Sequence, residues 1–272
     1  MLYRRPVDEL IRERYSCRAY FRRRLEPGRR RQLEGACRML RQGLVGERAR
    51  FQLVELGNEA LRRMNPGDFS LIVNPLTFIA GAIQQSPLAC ESYGYLLEHL
   101  VLKATDLGLG TCWLGYFDAS FFGEVSLAPG ELLPAVSVVG DAAEGREVSG
   151  RDRWEYMFFM GNFEEPISRE EAGQYAESLE MVRLAPSSGN TQPWRIVKER
   201  GRRVFHFYKE RIDRHYEEKR LHNIDLGIAM CHFELAARKN RLAGRWNRLK
   251  PEPDVGPLPR RTDYIISYEF TI

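Results

Sequence analysis

The chain has 272 residues, 43% hydrophobic and 29% charged, with a formal net charge of +4. That length and apolar content support one large core or two smaller ones and exclude wholesale disorder. The mild positive balance does not by itself point to nucleic acid, and with 35 Arg against 6 Lys any one Arg cluster says little about a partner.

Taken in chain order, residues 6–14 read as a helix with Leu10 and Ile11 on one side. A second helix is expected over 27–42, with Pro27 at its first position. Residues 51–56 alternate like a strand. Residues 77–84 form a second strand with Gly81 inside it. A long amphipathic helix follows over 90–107, and Gly108 suits its C-terminal cap. Residues 134–140 (PAVSVVG) are rich in Val and bounded by Pro and Gly, as in a buried strand. The polar stretch 141–153 reads as a linker. It divides the chain into halves 1–150 and 151–272. The second half begins with a helix over 168–184, opened by Ser168 with Glu171 at capping-box spacing. Strands at 194–199 and 203–208, a charged loop at 209–223, a helix over 223–241 and strands at 245–249 and 263–271 complete it.

The two long helices share more than apolar spacing. A shift of 133 residues lays Gly94 on Gly227, His99 on His232, Leu102 on Leu235, Ala104 on Ala237, Leu109 on Leu242 and Trp113 on Trp246. Matching Gly, His and Trp favour an internal repeat over chance likeness between amphipathic helices.

Three segments could carry chemistry. In Arg14-Tyr15-Ser16-Cys17-Arg18, two guanidinium groups flank a hydroxyl, and Arg presents a fixed fork that matches phosphate oxygens. Taken alone in an Arg-rich chain, that segment is better explained as a helix-end salt-bridge cluster. In residues 107–116 (LGLGTCWLGY), a helix stop, two Gly and a turn into Trp113 allow close backbone approach to a flat ligand. It lacks the strand-before, helix-after context of a dinucleotide fingerprint, and an ordinary helix stop explains it equally well. In residues 185–194 (APSSGNTQPW), short hydrogen-bonding side chains crowd a turn stiffened by Pro186 and Pro193. That polarity exceeds what a helix-to-strand connection needs and suits a polar, phosphorylated or heteroaromatic ligand.

Together these segments resemble the nitroreductase superfamily of FMN enzymes, with its RxSxR-type, APSxxNxQPW-type and LGLGTCW-type motifs. Their order departs from the usual chain, where the APSxxNxQPW turn lies between the other two; here it follows both. The first half reads CRMLRQGLVG over 37–46, where the turn would fall. The second half has NFEEP at 162–166 in place of RxSxR, and RLAGRW at 241–246 in place of the third motif. The sequence therefore looks like the tandem subgroup, in which one chain forms a pseudo-dimer with one intact flavin site. The resemblance implies an α+β fold of two pseudo-repeated units packed as an intramolecular dimer. It implies that Arg14, Ser16 and Arg18, within a segment that includes Tyr15, meet the FMN phosphate and ribityl chain. Arg151, with Arg153, would join them at the phosphate. Pro186, Ser187, Ser188 and Asn190 would contact the flavin from the second half, while Trp113, Leu114 and Gly115 line the ring.

The implied activity is NAD(P)H oxidoreduction by a ping-pong cycle, with a nitroaromatic, quinone or similar acceptor and no catalytic side chain or metal. Rivals are a flavin-binding sensor or carrier without turnover, and another flavin reaction on the same scaffold. A polyanion module built on the Arg at 22–24 and 29–31 is a third rival, against which a solvated charged surface is favoured. The five Cys are scattered with no CxxC, against a disulfide framework or zinc site. Neither a signal-type stretch nor a bilayer-spanning one is present, so a cytoplasmic protein with no membrane partner is expected; the pseudo-dimer resemblance implies a monomer, and no nucleic-acid partner is expected. Cys17 and Cys112 read as small buried hydrophobes rather than reactive thiols. The matched His99 and His232 read as structural.

Overall fold

The computed structural model describes residues 2–57, 72–147 and 149–271. The chain divides into two compact units, Met1–Val148 and Ser149–Ile272, each mixing helices with one sheet. The α+β class matches the sequence expectation.

In the first unit, α1 (Val7–Glu13) buries Val7, Leu10 and Ile11 and carries Asp8 and Glu9 in its first turn, where carboxylates meet the positive helix end. Helix α2 (Pro27–Met39) starts with Pro at its first position, and the Glu26 carboxylate accepts the Gly28 and Arg29 N–H groups. It stops before the expected residue 42 because Leu40 turns extended. Strands β1 (Ala49–Glu55) and β2 (Thr77–Gln84) pair antiparallel. Helix α3 (Ala89–Asp106) leads into β3 (Gly110–Leu114); β4 (Glu131–Leu132) and β5 (Val136–Gly140) follow. The strand order is β1-β2-β5-β3, with β4 beside β2. The 107–116 segment thus departs from the expected turn: residues 110–114 are a strand, paired along its length with β5.

The second unit opens with β6 (Phe158–Met160), a strand absent from the sequence reading, parallel to β7 (Trp194–Lys198). The expected helix over 168–184 is broken. Its capping box of Ser168 and Glu171 forms, but Gly173 at φ +54° separates α4 (Arg169–Ala172) from α5 (Ala176–Arg183). Strand β8 (Val204–Glu210), short helix α6 (Arg214–Glu218), long helix α7 (Leu221–Lys239), β9 (Gly244–Asn247) and β10 (Thr262–Phe270) complete it. The order is β6-β7-β8-β10-β9. One sheet face packs on α7 through Phe205, Phe207, Phe233, Trp246 and Tyr268 in tilted and edge-on contacts.

Leaving β4 and β6 aside, the two units repeat one strand order and one connection: two antiparallel strands, a long helix and two more strands. The helix ends also correspond. In α3 the Gly108 N–H donates to Thr105 O (2.9 Å) and the Leu109 N–H to Ala104 O (2.9 Å). In α7 the Arg241 N–H donates to Arg238 O (3.0 Å) and the Leu242 N–H to Ala237 O (2.9 Å). Both are Schellman closures, and each atom pair shifts by the 133 residues of the sequence match. No helix among the described residues is long and apolar enough to cross a membrane.

Candidate functional site

The first unit brings two of the three motifs together. Helix α1 ends where Arg14 turns extended (φ −55°, ψ 133°), and the chain then runs beside β3. Ser16 forms a parallel bridge with Thr111, and the Cys17 N–H donates to Thr111 O at 2.8 Å. This approach needs Gly110: a Cβ there would sit 2.8 Å from Cys17 Sγ and 2.9 Å from its Cβ. The Arg/Ser segment therefore lies against the third motif by backbone pairing.

Arg14 is 7% exposed, and its Nε has no hydrogen-bond partner among the described residues. Burial pushes its pKa down, while Glu98 and Cys112 pull it back up. A guanidinium in that state is suited to an anionic ligand. Glu98 is fully buried on α3 and accepts the Trp113 indole N–H at 2.9 Å, which fixes that ring. Sequence reasoning missed Glu98; a Glu in the middle of an otherwise apolar helix was its signal. The Tyr15 hydroxyl donates to Glu144 O at 3.3 Å, and burial pushes its pKa up to about 12. The Arg18 N–H donates to the Glu144 carboxylate, and the Arg18 side chain is exposed. Leu114 packs beside a cluster that includes Phe78, Phe122 and Val138; Gly115 follows it, half-buried. Burial raises the Cys17 thiol and takes Cys112 to about 11, so neither is a thiolate near neutral pH.

The second unit holds the third segment as a closed network. Pro186 is buried. Ser187 Oγ accepts the Gln192 N–H at 2.8 Å. Asp225 Oδ1, on α7, accepts the Ser188 N–H at 2.9 Å and its hydroxyl at 3.2 Å. Asn190 (φ +56°) accepts from Arg151 at 3.0 Å and donates to Gly150 O at 3.0 Å. The Arg151 guanidinium also donates to Leu184 O at 3.1 Å, and the Asp152 N–H donates to Gln192 Oε1 at 3.0 Å. The basic residue and the turn, 39 positions apart, thus form one element. Arg153 is exposed, pairing with Glu155 and stacking 5.5 Å from the Tyr156 ring. Asp225 was missed by sequence reasoning and is almost wholly buried; an acid inside an apolar helix run was again the available signal.

The other singled-out residues have ordinary partners. His99 Nδ1 lies 2.7 Å from the Tyr3 hydroxyl, and His232 Nδ1 lies 2.9 Å from Met181 O. In the N-terminal Arg cluster, Arg23 and Arg29 pair with Asp141 at 2.7 and 2.9 Å, and Arg24 and Arg30 pair with Glu55. Four of its six Arg thus have carboxylate partners within the same unit. The cysteines are free and buried, and no His/Cys/Asp/Glu group suited to a metal occurs among the described residues.

Comparison with known proteins follows the same lines. A structure from Thermotoga maritima MSB8, which bears a nitroreductase description, aligns over 97% of this chain and 93% of its own, with 20% identity and a TM-score of 0.65. FMN-bound structures from Desulfovibrio desulfuricans and Desulfitobacterium hafniense align over 54% of this chain. They cover 92% and 95% of their own lengths, with identities of 20% and 18% and TM-scores of 0.44 and 0.43. No curated protein matches the chain. The profile of the family described as "Putative TM nitroreductase" matches residues 6–237, and the chain therefore belongs to that family, within the nitroreductase superfamily.

Proposed function

We propose that this chain is an FMN-dependent NAD(P)H oxidoreductase that reduces a small electrophile such as a nitroaromatic or quinone. One observation carries the reading: the buried Arg14 guanidinium, with an unpartnered Nε, lies in the segment that Ser16 pairs to β3. A phosphate monoester satisfies that group with short, charge-assisted bonds. The FMN-bound relatives named above support the choice of ligand.

Arg14, Ser16 and Arg18 serve the phosphate and ribityl chain, with Tyr15 beside them. Arg151 acts through Asn190 and joins the phosphate contacts; Arg153 gives up its exposed Glu155 pairing to do the same. Pro186, Ser187, Ser188 and Asn190 present the polar wall of the second unit. Trp113, Leu114 and Gly115 line the ring, with Trp113 held by Glu98. Bound FMN supplies the two-electron chemistry between nicotinamide and acceptor. The protein positions the ligands, and the two substrates take turns in one pocket, as in a ping-pong cycle. The chain works as a monomer formed of two related halves, 1–150 and 151–272.

The test is direct. Purified protein reconstituted with FMN is mixed anaerobically with NADH or NADPH, and flavin absorbance is followed. Bleaching by either nucleotide, reversed by a quinone, is the expected result. Retained FMN that neither nucleotide bleaches would instead establish a binding protein without turnover.

A further inference from the structure

We propose that Asp225 is a positioning residue of the 187–192 turn, holding Ser188 so that its hydroxyl meets the ligand only as an acceptor. The proposal rests on the flavin reading above and deepens it, by naming the ligand edge that the turn reads.

Asp225 is 2% exposed on α7. Its Oδ1 takes both donors of Ser188, the N–H at 2.9 Å and the hydroxyl at 3.2 Å. An ionised carboxylate has no proton to give, so the hydroxyl must be the donor and its lone pairs remain. Ser187 is set the opposite way. Its oxygen accepts the Gln192 N–H at 2.8 Å and its own proton stays available. Both ends of the Asn190 amide are taken, by Arg151 and by Gly150 O. The Thr191 hydroxyl donates to Ser188 O at 2.9 Å. The two adjacent serines therefore offer one hydroxyl donor beside one hydroxyl acceptor. That pair fits a heteroaromatic edge carrying a carbonyl next to an N–H.

The groups around Asp225 set how readily it ionises. Its Oδ2 lies 3.4 Å from Nδ1 of His222, one turn earlier on the same helix. His222 is fully buried, and its Nε2 has no hydrogen-bond partner among the described residues. From α6, Tyr216 places its ring edge-on to His222 with centroids 5.6 Å apart. From β8, Lys209 is turned to Glu217 at 2.8 Å and Asn223 at 3.1 Å. The turn itself adds only uncharged groups. Burial pushes the Asp225 carboxyl above the usual range, with His222 and Ser188 opposing that rise.

Asp225→Asn and Asp225→Ala, made in the full chain, test the assignment, with circular dichroism checking the fold. FMN affinity is read from quenching of flavin fluorescence between pH 5 and pH 8. The ratio of wild-type to D225N affinity is the informative quantity, because ionisation of the FMN phosphate, near pH 6, cancels in it. The ratio is expected to be about tenfold at pH 8 and to fall towards one as acid neutralises Asp225. D225A binds more weakly than D225N throughout. A ratio near one at every pH overturns the assignment, and so does a large ratio that does not change with pH, which would mean a merely structural role. If wild-type protein retains no FMN at any pH, the flavin reading falls as well; a wild type that binds FMN while D225N behaves identically overturns the assignment alone.

Discussion

Arg14 joins two conditions that normally conflict, a permanent charge and burial without a hydrogen-bond partner at Nε. Burial lowers its pKa despite Glu98, so in the ligand-free chain the charged form destabilises the fold; a base whose folded pKa is depressed subtracts stability wherever it stays protonated. Arg14→Met, which keeps the stem volume and removes the charge, therefore separates stability from binding. Denaturant unfolding without ligand is expected to show a gain of about 1 kcal/mol. FMN binding is expected to weaken by about 2 kcal/mol, the loss of charge-assisted bonds. A variant less stable than wild type with unchanged FMN affinity would make Arg14 a structural cation. The same residue marks what the sequence could reveal. The Arg-Tyr-Ser-Cys-Arg pattern named it, but its isolation at Nε was invisible, because that depends on which partners β3 and α3 bring near it. Glu98 and Asp225 were hidden for the same reason. They act on motif residues 15 and 37 positions away through bonds that spacing alone does not specify.

At the scale of elements, the long helices were legible because apolar periodicity and an end signal agree. The α3 end was read from Gly108, which takes φ +72°. The matching α7 end carries Arg241 at φ +60°, where an L side chain costs about 1 kcal/mol relative to Gly. Arg241→Gly is expected to stabilise the protein by about that amount, and Gly108→Ala to destabilise it similarly, in equilibrium urea unfolding. Opposite signs from equivalent positions would establish that the two closures do the same work. Equal signs would show that side-chain contacts, rather than backbone strain, decide the cap. Strand β3 was less legible because Gly110 and Thr111 read as the tail of a turn; its strand character comes from register with β5, a partner 26 residues away. Strand β6 has three residues and takes its identity from parallel pairing with β7, so no local period could reveal it. The break at Gly173 lay under an apolar pattern that continues on both sides, and only the backbone conformation exposes it.

For the whole molecule, the decisive feature is how the motifs are shared between the units. The first unit has Arg14, Ser16 and Arg18 joined to β3, and lacks the polar turn. The second has the turn locked to Arg151 and Asp225. Where the Arg/Ser segment would fall it reads Asn162-Phe163-Glu164-Glu165-Pro166, and there Asn162 donates to Glu165 at 3.1 Å while Glu165 pairs with Arg200. Carboxylates in that place disfavour a phosphate. Strand β9, the counterpart of β3, carries Arg245, which pairs with Glu269 at 3.4 Å. Under the proposed function each motif set occurs once in the chain, and a second flavin would need a phosphate seat at 162–166, where this sequence carries acids. The expected stoichiometry is one FMN per chain, measured by flavin absorbance against protein concentration after saturation and gel filtration. Sedimentation of the same sample is expected to give a single chain of 31.6 kDa. Two FMN per chain would restore function to the 162–166 segment and refute its loss. One FMN per chain in a particle of twice the single-chain mass would refute the monomer and is what exchange of the two motif sets between molecules gives, since two chains carry two copies of each set; the flavin ratio and the sedimenting mass must therefore be read together.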